Sequence, residues 1–129
     1  MTQEHQQLLL KDLSARLPYV VFMGNKEWYR KPYQLTCDEL QYAMMSDDWD
    51  DVPYLRPMSS MTEEEYNDFF NYYHNIELEE VKKSGDYQKA AYLGDSAKYD
   101  WLNAHHFDYR YLIEKDLAIE VTEENNPYK

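Results

Sequence analysis

Cysteine is almost missing from this chain: its 129 residues hold one, Cys37. No intrachain disulfide can form, and nothing points to an oxidising compartment. Glycine is scarce as well, at three residues. Three scattered glycines cannot build the loop that cradles phosphates. With only five prolines besides, long flexible linkers are not expected. Positive charge is short too, because 13 Lys and Arg stand against 25 Asp and Glu, for a net charge of −12. Nucleic-acid phosphates are bound by Lys and Arg that displace counterions, so direct nucleic-acid binding is disfavoured. No apolar run approaches the roughly 20 residues of a membrane span. Met1-Thr2-Gln3-Glu4 also lacks the basic start of a signal peptide. No membrane association and a cytoplasmic location are the expectations.

What the chain has in plenty is rings. Aromatic residues make up 16%, and 14 of them are tyrosines. Each buried tyrosine needs a partner for its hydroxyl, so many half-buried rings with wet tips are expected. The length suits one domain with a modest core, assigned to residues 1–122, with the polar segment 123–129 expected to fray.

The chain is organised around Val52 to Tyr66. Val52 to Arg56 is β-prone, but Pro53 and Pro57 lack the donor that a central strand needs, which predicts a sheet edge or an extended connector. Thr62-Glu63-Glu64-Glu65 is a capping box, with Met61 and Tyr66 at the positions of a hydrophobic staple. A helix is predicted from Glu63 to about Lys83, ended by Gly85. Before this stretch, Leu9, Leu10, Leu13 and Leu17 form one stripe of a helix over 3–17, with Thr2 as cap and Pro18 as stop. Tyr19 to Met23 and Lys26 to Tyr29 read as strands joined by a Gly24-Asn25 hairpin link. Tyr33 to Leu35 reads as a third strand. Thr36-Cys37-Asp38-Glu39 opens a helix to about Met45, with strand as the alternative. After Gly85, short helices are predicted over 86–93, stopped by Gly94, then from Asp95 or Ser96 to Ala104, then from Asp108 through Ile113. Leu117 to Val121 reads as a final strand. The expected fold is α+β: a small twisted antiparallel sheet or partial barrel from residues 19–56, packed by the first helix and the long central helix.

Three segments resemble a known family: Leu8 to Tyr19 (LLLKDLSARLPY), Pro53 to Thr62 (PYLRPMSSMT) and Asp100 to Arg110 (DWLNAHHFDYR). Together they resemble a family of small uncharacterised proteins common in gut bacterial genomes, prophages and mobile elements. The resemblance implies a bacterial intracellular setting and a mobile-element origin, and it transfers no functional residue. Glycine usually stands in that family where this chain has Tyr111 and Asp116, which puts in doubt any tight backbone contact at Tyr111.

Several constellations carry chemistry in principle. His105, His106 and Asp108 are suitable zinc or iron ligands. Adjacent histidines on a helix point about 100° apart, however, and the i, i+4 spacing is absent. The plainer reading is a helix end followed by a cap. Cys37 lies near a predicted helix start but has no nucleophile motif around it, and a buried structural thiol is commoner. Asp47, Asp48, Asp50 and Asp51 suggest weak divalent binding, yet Trp49 sits among them and no EF-hand glycine or distal glutamate follows. Arg30-Lys31 beside Trp28, Tyr29 and Tyr33 is the one basic-aromatic patch, read as a salt-bridged surface at this net charge. No catalytic residue, metal or cofactor is assigned. The expectation is a non-enzymatic accessory or protein-interaction domain whose partner is a protein with a basic surface. Trp28, Tyr29, Trp49, Asp47, Asp48, Asp50 and Asp51 are its candidate contacts. The alternatives are an acidic decoy that mimics nucleic acid toward a host protein, and a small metal-dependent enzyme using His105, His106 and Asp108.

Overall fold

Thr2 sets the start of the first helix, α1 (Gln3–Arg16), its hydroxyl accepting from the His5 amide at 3.1 Å. The computed structural model describes residues 1–27, 31–46 and 48–129. Trp28, Tyr29, Arg30 and Asp47 lie outside the described residues, and with them the centre of the predicted 26–29 strand. The fold is α+β, with four helices and a small mixed sheet among the described residues. The backbone divides into two compact units: residues 1–58 with 106–129, and residues 59–105.

The first unit holds α1, α2 (Cys37–Met45) and the strands β1 (Phe22–Gly24), β2 (Tyr33–Gln34), β3 (Val52–Pro57), β4 (Phe107–Asp108) and β5 (Ile119–Glu120). Leu9 and Leu13 of the predicted α1 stripe are fully buried, together with Val21, Met23, Leu35, Leu40, Val52 and Leu55. Leu112, Leu117 and Ala118 complete the cluster from the far end of the chain. α2 is helix, capped by Thr36, whose hydroxyl accepts from the Glu39 amide.

Three expectations about the sheet need correction. The sheet is mixed: β2-β1-β3 is antiparallel, but β3 pairs in parallel with both β4 and β5. Parallel neighbours require a long crossover, and here the whole of residues 59–105 separates β3 from β4. β3 is also central and not an edge, and it tolerates Pro53 and Pro57 at the positions their missing donors allow. Finally, among the described residues the next strand after Gly24-Asn25 that pairs with β1 is β2, with Met23 opposite Tyr33, while Lys26 and Glu27 form a bend. Asn25 instead folds on itself, its side-chain oxygen accepting from the Glu27 amide at 2.9 Å and its Nδ2 donating to Asp51. Gly24 is required for a different reason. A Cβ there would lie 2.7 Å from the Tyr54 ring and 3.1 Å from Ile119 Cδ1.

The segment after β4 is a set of turns, not the predicted helix. Asp108 pins these turns, accepting from the amides of Leu112 and Ile113 at 2.9 Å each. Tyr111 and Asp116 have φ of 60° and 62°, the left-handed region that glycine occupies without steric cost. His106, with φ of 68°, is a third.

Residues 122–128 are mostly turns, and within them Tyr128 is anchored. Its hydroxyl donates to the Tyr54 carbonyl at 2.7 Å and accepts from the Phe22 amide at 3.1 Å. Its ring stacks on His106, 3.5 Å between centroids, and meets Phe22 edge-on at 5.4 Å. Phe22 and Tyr54 follow Met23 and Pro53 in the β1–β3 register, so the hydroxyl bridges two strands where the direct ladder ends. Burial pushes this phenol up to about 12, so it is a protonated donor at any physiological pH. The polar composition of 123–129 gives no sign of such an anchor.

The second unit is a helical hairpin of α3 (Glu63–Ser84) and α4 (Tyr87–Ala104), preceded by a single 3-10 turn that starts in the first unit (Met58–Ser60). The capping box at Thr62 and Glu65 is complete, and Gly85 ends α3 with φ of 68°. α4 is one helix of 18 residues, capped by Asp86, where two short ones were expected. Gly94 does not stop it, because this glycine is where α3 comes closest. An added Cβ would lie 2.0 to 2.5 Å from the side-chain atoms of Glu77. Tertiary packing thus overrides the weak helix propensity of glycine. The long helix is therefore partnered by α4.

Two measurements follow from these contacts. Tyr128→Phe removes the bridging hydroxyl while keeping the ring, and should lower unfolding free energy by about 1–3 kcal/mol in urea titration. In α3, buried Glu80 accepts from Lys89 Nζ at 3.0 Å and from Ser84 Oγ at 3.3 Å. The Lys89 hydrogen bond, its charge and Ser84 together hold the Glu80 carboxyl below its ordinary 4.5, against the opposing effect of burial. A depressed carboxyl stabilises the fold above its unfolded value and loses that contribution as pH falls through the folded one. Glu80→Gln should therefore melt lower than wild type at pH 7, with the gap closing as pH is taken below 4.5.

Candidate functional site: an acidic aromatic hollow

The segment leaving α2 and entering β3 is tightly pinned. Gln6 Nε2 donates to the Ser46 carbonyl at 3.0 Å, and the Ser46 hydroxyl bonds the Asp48 carboxylate. Trp49 Nε1 donates to the backbone carbonyl of Asp51 at 3.0 Å, which folds the indole back over its own turn. Asp51 is only 4% exposed. Its carboxylate accepts from Tyr33 Oη at 2.6 Å and from Asn25 Nδ2 at 3.1 Å. Tyr33 and Asn25 thus hold this carboxylate in place.

These fixed residues line a hollow of about 460 Å³. Three rings contribute, Tyr33, Tyr42 and Trp49, and the Tyr42 and Trp49 rings meet edge-on at 6.2 Å. Four carboxylates contribute as well: Glu39, Asp48, Asp50 and Asp51. Among the described residues lining it, none is cationic. Asp48 and Asp50 are exposed and Asp51 is buried, so negative charge runs from solvent to the interior. Aromatic faces carry negative potential and attract cations, tryptophan most strongly. Carboxylates between them add the full charge. Such a lining suits a lysine, an arginine or another organic cation.

A second hollow, of about 370 Å³, shares Asp50 with the first. It mixes Lys26, Lys115 and His5 with Glu27 and Asp116, and Lys26 is ion-paired to Asp116. Its charges offset one another, which leaves little selectivity.

Of the residues singled out in the sequence, Trp49, Asp48, Asp50 and Asp51 come together in the first hollow. Trp28, Tyr29 and Asp47 lie outside the described residues. Tyr33 was read only as part of the basic-aromatic patch, Glu39 only as part of a helix start, and Tyr42 not at all. The signal for two of them was available, since Glu39 and Tyr42 stand three apart on a capped helix leading into the acidic turn. The Asp47–Asp51 turn was also weighed for calcium, and His105, His106 and Asp108 for zinc or iron. Among the described residues no three His, Cys, Asp or Glu side chains gather as metal ligands. His105 closes α4 with its ring stacked on Trp101 at 3.8 Å and Nδ1 2.9 Å from the Trp101 carbonyl. His106 stacks on Tyr128, and Asp108 is occupied with two backbone amides. Cys37 is exposed in the first turn of α2, where a buried thiol was the commoner expectation. Among the described residues no helix is long and apolar enough to cross a membrane.

A separate polar cluster was not foreseen. Asp12 and Arg16 are buried to 0% and 1% exposure, and Asp12 accepts from Arg16 Nε at 2.8 Å and Arg110 Nη1 at 3.0 Å. Arg16 Nη2 also donates to the Phe107 carbonyl at 2.7 Å. None of these three residues lines either hollow, and their role is read below as structural.

Set against known proteins, the chain matches no family model, no curated protein and no solved structure.

Proposed function

We propose that the chain is a non-enzymatic protein-interaction module that takes a lysine or arginine side chain of a basic partner into the hollow of Tyr33, Tyr42, Trp49 and Asp51. The observation that carries this reading is the composition of that lining: three rings, four carboxylates and no cation among the described residues. The net charge of −12 draws a basic surface toward it. Its volume of about 460 Å³ lies within the range of small-ligand pockets. The resemblance of the Leu8–Tyr19, Pro53–Thr62 and Asp100–Arg110 segments to a mobile-element family supports an accessory role in a bacterial prophage or similar element. A metal-dependent reaction draws less support, because His105, His106 and Asp108 are engaged with rings and backbone groups.

The test is titration of the isotopically labelled protein with hexalysine and hexaarginine, following the Trp49 indole N–H signal by NMR. Binding should shift that signal and weaken as salt is raised. Trp49→Ala and Asp51→Asn should each lose about tenfold in affinity, near the 1–2 kcal/mol that a cation–π contact contributes at a partly dry site. Equal affinity in Trp49→Ala and wild type would overturn the reading.

A further inference from the structure

Helix α3 has 22 residues, and only Glu80 among them is buried. Its aromatic residues do not all face α4. Phe69 and Tyr73 are engaged with α4, Phe69 with the Trp101 ring at 5.2 Å and Tyr73 beneath Lys98 Nζ at 4.5 Å. Tyr66, Phe70, His74 and Leu78 form the adjacent row, each four residues from the last, the spacing that places side chains on one helix face. The ring contacts of Phe70 stay within α3, at 5.1 Å to His74 and 5.5 Å to Tyr73. Tyr66, Phe70 and Leu78 are 56%, 40% and 43% exposed. A row of this kind is what a partner helix reads with anchors at i, i+4 and i+7 or i+8.

Charge selects the occupant. Residues 59–105 carry ten acids against four lysines, a net charge of −6. Four of the acids, Glu63, Glu64, Glu65 and Asp68, crowd the first two turns of α3 around Tyr66 and Phe70, with no base among them. A second copy of the chain would bring the same excess of acid and be repelled. An anionic lipid surface would be repelled equally. We infer that the Tyr66–Phe70–His74–Leu78 row is the docking strip for a basic amphipathic helix of a partner protein. Its apolar face lies along the row and its Lys or Arg residues meet the acids of the first two turns. From Tyr66 to Leu78 the row is about 18 Å long at 1.5 Å per residue, so about 12 to 15 residues of partner helix cover it. The surface is distinct from the hollow, and the inference does not rest on that reading.

The probe is a fluorescein-labelled 14-residue peptide of leucine and lysine with leucine at helical i, i+3, i+4 spacing. A scrambled peptide of the same composition serves as the charge-matched control. Fluorescence anisotropy with the full chain should give binding at least tenfold tighter for the amphipathic peptide than for the scrambled one. Far-UV circular dichroism should show helix gained on mixing. The double variant Tyr66→Ser with Leu78→Ser changes two exposed positions, so its melting curve should match wild type while affinity falls at least tenfold. Equal affinity for both peptides, or an unaffected double variant, would overturn the inference.

Discussion

One buried carboxylate ties the ends of the first unit together. Asp12 of α1 holds Arg16, four residues on, and Arg110, ninety-eight residues on. The two guanidinium groups flank the Tyr109 ring, 5.2 and 4.8 Å from its centroid, and Arg110 also donates to the Tyr109 hydroxyl. Arg16 reaches past them to the Phe107 carbonyl. Phe107 in turn lies in β4 and beneath Arg56 of β3, with 4.2 Å from guanidinium carbon to ring centroid. α1, β3, β4 and the turn after β4 are therefore fixed by a connected set of charges and rings. A buried charge without a partner costs several kcal/mol, so removing any member strands the others.

The position of this set explains how the rest is placed. With β4 held against β3, the chain that follows turns through Asp108 and the left-handed Tyr111 and Asp116 to bring Leu112, Leu117 and Ala118 into the core. β5 then pairs with β3, and Tyr128 closes the far side of β1 and β3 through one hydroxyl. β3 also begins at Val52, directly after the buried Asp51. The strand that the ionic set fixes at Arg56 thus starts beside the carboxylate of the acidic hollow.

How much of this could be read from the residues depended on whether the signal was local. Thr62 with Glu65, Thr36 with its following acids, Gly85 after Lys82-Lys83, and the leucines of α1 are all decided within a turn or two, and each took its expected form. The misreadings were of long range. Gly94 looked like a stop because nothing nearby in sequence shows that α3 packs onto it. The parallel pairing of β3 depends on strands some fifty residues and more away. Nothing near Asp12 and Arg16 in the sequence marks them as interior, because Arg110, which pairs with Asp12, lies far along the chain. In the hollow, the acidic turn and Trp49 stood out by composition, but Tyr33 is brought in only by the β1–β2 pairing.

Equilibrium urea unfolding of Asp12→Asn tests this account most directly. The substitution keeps size and shape but leaves two guanidinium groups, one fully buried, without their counter-charge. A loss of about 3–5 kcal/mol, or failure to fold, is the expected result. A variant within about 0.5 kcal/mol of wild type, the range of an ordinary surface change, would contradict it.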